Sequence, residues 1–200
     1  MRTPGTVAAA PSALTNDPVW RIGMAVKPLP SRDIVRQLLS YNAETGALTW
    51  LPRPREMFKR HRQYLNWNGR YPGKQAGYVA EYGYRIIHLD HVLFKAHRLV
   101  WLHVHGEPVP EIDHIDGDRS NNRIDNLRIA TRSQNRANSG TSKNNTSGIK
   151  GVNAHKNRFH ARIMHNGKAI HLGSFKTVEE ATKARREAAE RLHGEFTRHE

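Results

Sequence analysis

Asp113 and His114 stand next to one another, Asn126 follows twelve residues after His114, and Asn135 comes nine residues after that. A carboxylate and amide carbonyls are hard oxygen donors for a divalent cation, and an imidazole that is neutral near pH 7 can take a proton from water. All four lie in "EIDHIDGDRSNNRIDNLRIATRSQN", residues 111–135, which is too polar for a core and too regular for a random loop. A calcium loop of the EF-hand kind needs Gly at its sixth position and Glu at its twelfth. Counted from Asp116 those positions hold Asn121 and Leu127, and counted from Asp113 they hold Asp118 and Ile124, so that reading fails. A plain polar turn accounts for "DGDRSNN", whose Gly and Asn tolerate positive φ, but not for its flanks. "EIDHI" and "NLRIAT" are short strands with apolar positions, and "RSQNRAN" can begin a helix at Thr131 or Ser133. Strand, long polar loop, strand and helix in that order return the four side chains to one place.

"DHIDGD", "SNNRIDN" and "LRIATRSQN" stand in the order of a ββα-metal motif, with Asp-His ending the first strand, Asn within the loop and Asn or His on the helix. In this the stretch resembles the HNH nuclease family. "YNAETGALTW", "AGYVAEYGYRIIHL" and "AHRLVWLHVHGEPVP" also resemble the front half of phage-type HNH endonucleases. The resemblance implies hydrolysis of a phosphodiester, which needs an activated water in line with the leaving oxygen and a cation to offset the phosphate charge. It implies His114 as general base, and Asp113 and Asn135 as ligands of Mg²⁺, or of Mn²⁺. Asn138, three residues beyond Asn135 on the same helix face, is the reserve ligand. Asn126 is the catalytic brace that holds the loop so that His114 keeps its tautomer and aim. Neighbouring strand residues point to opposite sides, so Asp113 and His114 can flank a phosphate only if the strand ends or twists there. The products implied carry 5′-phosphate and 3′-hydroxyl. Many HNH proteins add a cysteine-bound zinc; this chain has no cysteine, so its stability must come from packing around Leu99, Val100, Trp101, Ile112 and Leu127.

The elements upstream must position this motif. "VAAAPSAL" is too short and Pro-broken for a signal-peptide core, residues 1–30 read as a disordered arm, and Met24 is an alternative natural start. Ser31 can cap a short helix with Ile34, Val35, Leu38 and Leu39 on one face. "YNAETGALTW" reads as a hairpin turning at Glu44-Thr45-Gly46, with Leu48 and Trp50 inward. Residues 52–75 mix basic and aromatic residues without apolar periodicity: either an irregular loop with two buried aromatics, or cations and rings for a nucleic-acid strand. "GYRIIHL" and "HVLFKAH" read as a second hairpin, and "HRLVWLHVHGEPVP" as a helix closed by Gly106. His97, His103 and His105 on it read as packing or surface groups.

After the polar stretch "SGTSKNNTSG", a linker at 139–148, the pattern resets. "IKGVNAH", "RFHARIMH" and "KAIHLGSF" read as three antiparallel strands, the last two turned by Asn166-Gly167. A helix follows at 177–193, with a Thr177/Glu180 capping box, an inner face of Val178, Ala181, Ala184, Ala188 and Leu192, and Gly194 as its end. Phe159, Ala161 and Ile163 then face the helix, and His160, Arg162 and Met164 face away. "KGVNAH", "FHARI", "HLGSF" and "EEATKA" resemble the AP2 DNA-binding domain over about 50 residues. That resemblance implies a sheet laid in the major groove, with Lys150, Asn153, Arg162 and His171 as DNA contacts. Charge and strand parity add Arg158, His160 and Lys168. His171 and Ala169 stand where plant members often carry Trp and Arg, so no sequence preference transfers.

Lys and Arg outnumber Asp and Glu 32 to 18, giving a net charge of +14, which calls for a polyanionic partner. Between Arg119 and Lys150 seven basic residues stand against one acid, Asp125, with Arg119 and Arg123 beside the motif placed to grip a DNA backbone. No apolar run approaches a membrane span, and nothing calls for a small-molecule cofactor. The expectation is an α+β chain: a small HNH ββα-metal module at 31–138, with the motif itself at about 111–138, and an AP2-like three-stranded antiparallel sheet packed on one helix at 149–197. It would cut double-stranded DNA in the cytoplasm of a bacterial host if phage-encoded, in homing or phage genome processing. The competing class is a DNA-binding regulator with an inactive HNH module.

Overall fold

Ser31 Oγ accepts a hydrogen bond from the Ile34 amide and so caps α1 (Arg32–Leu38). The computed structural model describes residues 28–141, 145 and 147–198. Most of the expected arm, the alternative start at Met24, and positions 142–144 and 146 of the expected linker lie outside the described residues. α1 runs straight into β1 (Leu39–Asn42), which pairs antiparallel with β2 (Ala47–Trp50). Val35, Leu38, Leu39, Leu48 and Trp50 are buried, whereas Ile34 is 42% exposed. A helix of under two turns presents only a narrow stripe, and Ile34 falls at its margin.

Residues 52–75 are not a single irregular loop: α2 (His61–Arg70) forms within them. No apolar period announces it because one corner alone packs. Trp67 meets Trp50 edge-on at 5.3 Å and lies 4.2 Å from Tyr71, while the Arg53 guanidinium sits 3.7 Å over the Trp67 ring. Those two rings are engaged within the fold, and Arg60, Arg62 and Arg70 remain exposed.

β3 (Tyr78–Val79), β4 (Arg85–Leu89) and β5 (Val92–Lys95) make an antiparallel sheet in that order. Asp90 and His91 turn β4 into β5 with φ of 44° and 63°, the pair of positive values that a two-residue type I′ loop requires. α3 (Ala96–His105) follows without a loop and ends at Gly106, φ 89°. Its Leu99, Val100, Trp101 and Leu102 join α1, the first hairpin, Ile87 and Leu89 in one core that also takes in Ile112 and Leu127. The last two belong to β6 (Ile112–His114) and β7 (Leu127–Ile129), an antiparallel pair hung on that core. α4 (Arg132–Asn138) starts from Thr131, whose hydroxyl accepts from the Gln134 amide while the Gln134 side chain accepts from the Thr131 amide.

β8 (Val152–His155), β9 (Arg158–His165) and β10 (Lys168–Phe175) form a second three-stranded antiparallel sheet, ordered β8-β9-β10, crossed on one face by α5 (Val178–His193). Asn166 and Gly167, φ 47° and 78°, make the β9–β10 turn, and the Thr177/Glu180 capping box starts α5. Ala161 and Ile163 of β9 are buried against Ala181, Ala188 and Ala189; the alanines let helix and sheet approach closely. Arg185 and His193 are buried on the same helix face, where only apolar residues were expected. The fold is α+β, and among the described residues no helix is long and apolar enough to cross a membrane.

Candidate active site

The β6–β7 pair sets Asp113 opposite Arg128 and His114 opposite Leu127. Both Asp113 and His114 are buried, at 3% and 4% exposure, which for two ionisable side chains demands specific partners. Asp113 has them on two elements. Arg128 donates to its Oδ2 from Nε at 3.0 Å and from Nη2 at 2.9 Å, and the Asn138 amide at the end of α4 donates to Oδ1 and Oδ2 at 3.1 and 3.0 Å. The same Asn138 nitrogen reaches the His114 carbonyl at 2.7 Å, so α4 is latched to the end of β6 at the residues of interest.

His114 faces Asn122: its Nε2 lies 3.1 Å from the Asn122 Oδ1. Asn122 Nδ2 donates to the Ser120 carbonyl, which turns the amide oxygen toward the ring. A carbonyl oxygen only accepts, so Nε2 carries the proton and Nδ1 keeps the lone pair. Burial pushes the His114 pKa below the usual histidine range, against the opposing pull of the Asn122 bond and of Asp116, Asp113 and Asp118. The ring is therefore neutral at pH 7. His97 packs edge-on against it, centroids 5.0 Å apart, and Tyr84 lies 5.9 Å away. Burial first, and then the proximity of His114 and the Lys95 and Arg98 charges, push His97 down to about 2, so it contributes a neutral wall.

The loop between β6 and β7 is built from its own polar side chains. Asn126 accepts from the Asp116 amide at 3.1 Å and donates to Asp116 Oδ1 and the Asn121 carbonyl, both at 2.9 Å. Asp116 accepts in turn from the Asp118 amide, and Asp118 from Ser120. The first hairpin clamps this loop from outside. Tyr41 Oη accepts from the Ile124 amide at 2.8 Å and donates to the Asn122 carbonyl at 3.2 Å. Gly46, φ 71°, lies so close that a Cβ there would sit 2.5 Å from the Arg123 amide nitrogen.

Comparisons with known proteins bear on this geometry. The HNH endonuclease family matches residues 94–137, from β5 to α4. Protein 3.8 of Escherichia phage T7 is 38% identical over 109 residues, covering 52% of this chain and 88% of that protein. A protein of Acanthamoeba polyphaga mimivirus, named an uncharacterized HNH endonuclease, is 31% identical over 126 residues, covering 62% of this chain and 65% of that protein. Residues 94–137 are thus similar to an HNH endonuclease domain. No solved structure matches the chain.

Of the four motif residues, the HNH module brings Asp113 and His114 together at the end of β6. Asn126 lies in the loop but bonds to Asp116 and Asn121; the residue touching the His114 ring is Asn122. Asn135 turns its amide to Glu111 Oε1 at 3.0 Å and the Ile112 carbonyl at 3.3 Å, while Asn138, one turn on, meets Asp113. Asn122, Arg128 and Lys95 carry site contacts that the sequence reading did not single out. Arg128 had a legible signal, since cross-strand pairing puts it opposite Asp113 once the register is set. Lys95 Nζ and the Arg119 guanidinium flank the Tyr84 ring at 4.1 and 5.0 Å, two cations at the mouth of the site. Arg123 is ion-paired with Asp125 at 3.2 Å on the surface.

Among the described residues no group of three or more His, Asp or Glu side chains gathers as a metal site. The donor set at β6 is one carboxylate and the Asn138 amide, in contact. It fits a hard cation that keeps most of its ligands as water or substrate oxygen, with the amide turned by half a rotation to present its oxygen.

The expected DNA contacts of the C-terminal sheet divide. Lys150 is engaged: its ammonium donates to the Ala137 carbonyl at 2.5 Å, and also to Arg136 and Ser139, at the C-terminus of α4. Arg158 donates to Ser174 on β10, at 2.9 Å to Oγ and 2.6 Å to the carbonyl. His160 and His171 are ring neighbours at 6.0 Å, and Lys168 and His171 are exposed. Asn153 and Arg162 face a cavity shared with α4.

Proposed function

We propose that the protein is a metal-dependent endonuclease that hydrolyses phosphodiester bonds of double-stranded DNA, with Mg²⁺ as its cation and Mn²⁺ as a substitute. The observation that carries this reading is the neutral His114 ring, oriented by Asn122 and set beside the Asp113 carboxylate at one strand end. His114 takes the proton of the attacking water on Nδ1. Asp113 and Asn138, with Asn135 one turn away, would hold the cation. When bound, that cation offsets charge on the phosphate and the leaving oxygen. Lys95 and Arg119 sit where they can meet the neighbouring phosphates, and Asn126 keeps the loop in shape. The cut would leave 5′-phosphate and 3′-hydroxyl.

Within this reading residues 31–138 cut and residues 149–197 act as an AP2-like targeting unit, with Arg162, His160, His171 and Lys168 toward the duplex. The relative from a bacteriophage supports a homing or phage genome-processing setting and, if the protein is phage-encoded, the cytoplasm of a bacterial host. One observation favours the competing reading, a DNA-binding regulator without nuclease activity: Asp113 already has Arg128 as its ion-pair partner at 2.9 Å.

Plasmid DNA incubated with the protein and Mg²⁺ or Mn²⁺, with His114→Ala alongside, tests the proposal. Wild-type protein should nick or linearise the plasmid, and the variant should be slower by about 10²- to 10⁴-fold, the usual contribution of a positioned general base. Intact binding with no cleavage by wild type across metals and targets would leave the regulator.

A further inference from the structure

A cavity of about 910 Å³ opens between α4 and the C-terminal sheet, on the side of α4 away from Asp113. Its cationic lining is Arg132 and Arg136 on α4, Lys150 ahead of β8, Arg162 on β9 and Arg185 on α5, with the His193 ring alongside. No Asp or Glu lines it among the described residues. Arg185 is the anomaly. It is 8% exposed, and among the described residues its Nε has no hydrogen-bond partner and no salt bridge includes it. A buried guanidinium is costly to leave uncompensated. Its place is nonetheless built: at Gly151, φ 76°, a Cβ would come within 2.9 Å of Arg185 Nε and 2.4 Å of the Arg162 carbonyl oxygen, so only glycine leaves room for the guanidinium. His165 Nδ1, on a ring 5.5 Å from His193, is a second buried nitrogen without a partner among the described residues. Burial first, and then the Arg185 and Arg198 charges, push the Lys150 ammonium in this corner down to about 8.

We infer that this cavity binds a nucleotide unit through its phosphate, with Arg185 and Arg162 on the phosphate oxygens and the remaining volume left for the attached nucleoside. Guanidinium forks match phosphate oxygens in shape and charge, and the volume falls in the range of small-ligand sites. The phosphate comes either from a DNA strand or from a free nucleotide. The strand source rests on the nuclease reading above; phosphate binding by the cavity does not.

The full-length protein is titrated with pyrophosphate and with deoxyadenosine monophosphate by calorimetry, and with a short DNA duplex by fluorescence anisotropy. Arg162→Gln, Arg185→Gln and, as control on the outer face of α5, Lys183→Gln are measured beside wild type. The two arginine variants should weaken phosphate binding by about tenfold or more, and the control should not. If the small phosphates fail to bind but duplex affinity shows the same dependence, the source is a strand. The inference is overturned if neither variant changes the binding of phosphate, nucleotide or duplex, or if only an acidic peptide such as poly-glutamate shows the dependence. Arg162 is exposed, so its variant carries the test should Arg185→Gln fail to fold. Arginine-dependent phosphate binding by a wild-type protein that never cuts would end the nuclease reading and leave this one standing.

Discussion

At the scale of single residues, the site turns on which atom of His114 is free to act. Asn122 accepts from Nε2, and that bond raises the imidazole pKa against the larger lowering by burial. In Asn122→Ala the ring loses both its orientation and this upward pull. Cleavage should fall by about 10- to 100-fold, as when groups that aim a functional histidine are removed. The acidic limb of the kcat profile should also move to lower pH, because burial is then opposed only by the three aspartates. A limb that stays in place while activity drops would make Asn122 a loop-shaping residue with no hold on the base. Asn126 is the contrast. Its bonds end on Asp116 and Asn121, so Asn126→Ala disturbs the loop first and the ring second.

At the scale of elements, the front hairpin is a clamp whose effect on the site runs through backbone contact. Tyr41 and Gly46 touch residues 122–124, which carry Asn122. A Cβ at position 46 would collide with the Arg123 amide nitrogen and the Asn122 carbonyl carbon, 2.5 and 2.6 Å away, at a positive φ. Gly46→Ala should therefore cost about 1–2 kcal/mol from backbone conformation alone, more from the collision, and lower cleavage by moving the loop. Gly69→Ala, within α2 with nothing within 4 Å of its Cβ, should instead stabilise by roughly 0.5–1 kcal/mol. Thermal unfolding of the two variants checks both signs. Elements announced by local chemistry were legible in the chain: the caps at Ser31, Thr131 and Thr177, the Asn166-Gly167 turn, and the strand–loop–strand–helix order around His114. α2 was not, because a single corner at Trp67 holds it. Asn122 was hidden, and Asn138 stood only in reserve behind Asn135, for a related reason. In a loop with several asparagines, and on a helix with two of them one turn apart, spacing names the element but three-dimensional packing picks the residue.

At the scale of the whole molecule, the core is laced with histidines that must stay neutral. His97, His114, His103 and His193 all have pKa values lowered by burial as the main cause, with His97 pushed down to about 2. In the unfolded chain each takes up a proton near pH 6.5, while the folded rings refuse it to lower pH. The unfolded state thus binds more protons below pH 6.5. The stability these rings contribute is complete above that value and falls as the pH drops through it toward the folded pKa values. Asp116, held below its usual range by Asn121 and Asn126, adds loss of the same sign under more acidic conditions. Each fully refused proton is worth a slope of about 1.4 kcal/mol per pH unit. Urea unfolding between pH 7.5 and 5 should show stability declining on acidification, and His97→Phe, which keeps a ring in the place, should remove about one proton from the slope. Stability that is level or rises toward pH 5 would mean that the buried rings accept protons in the folded state, and with them that His114 is not the neutral base the nuclease chemistry requires.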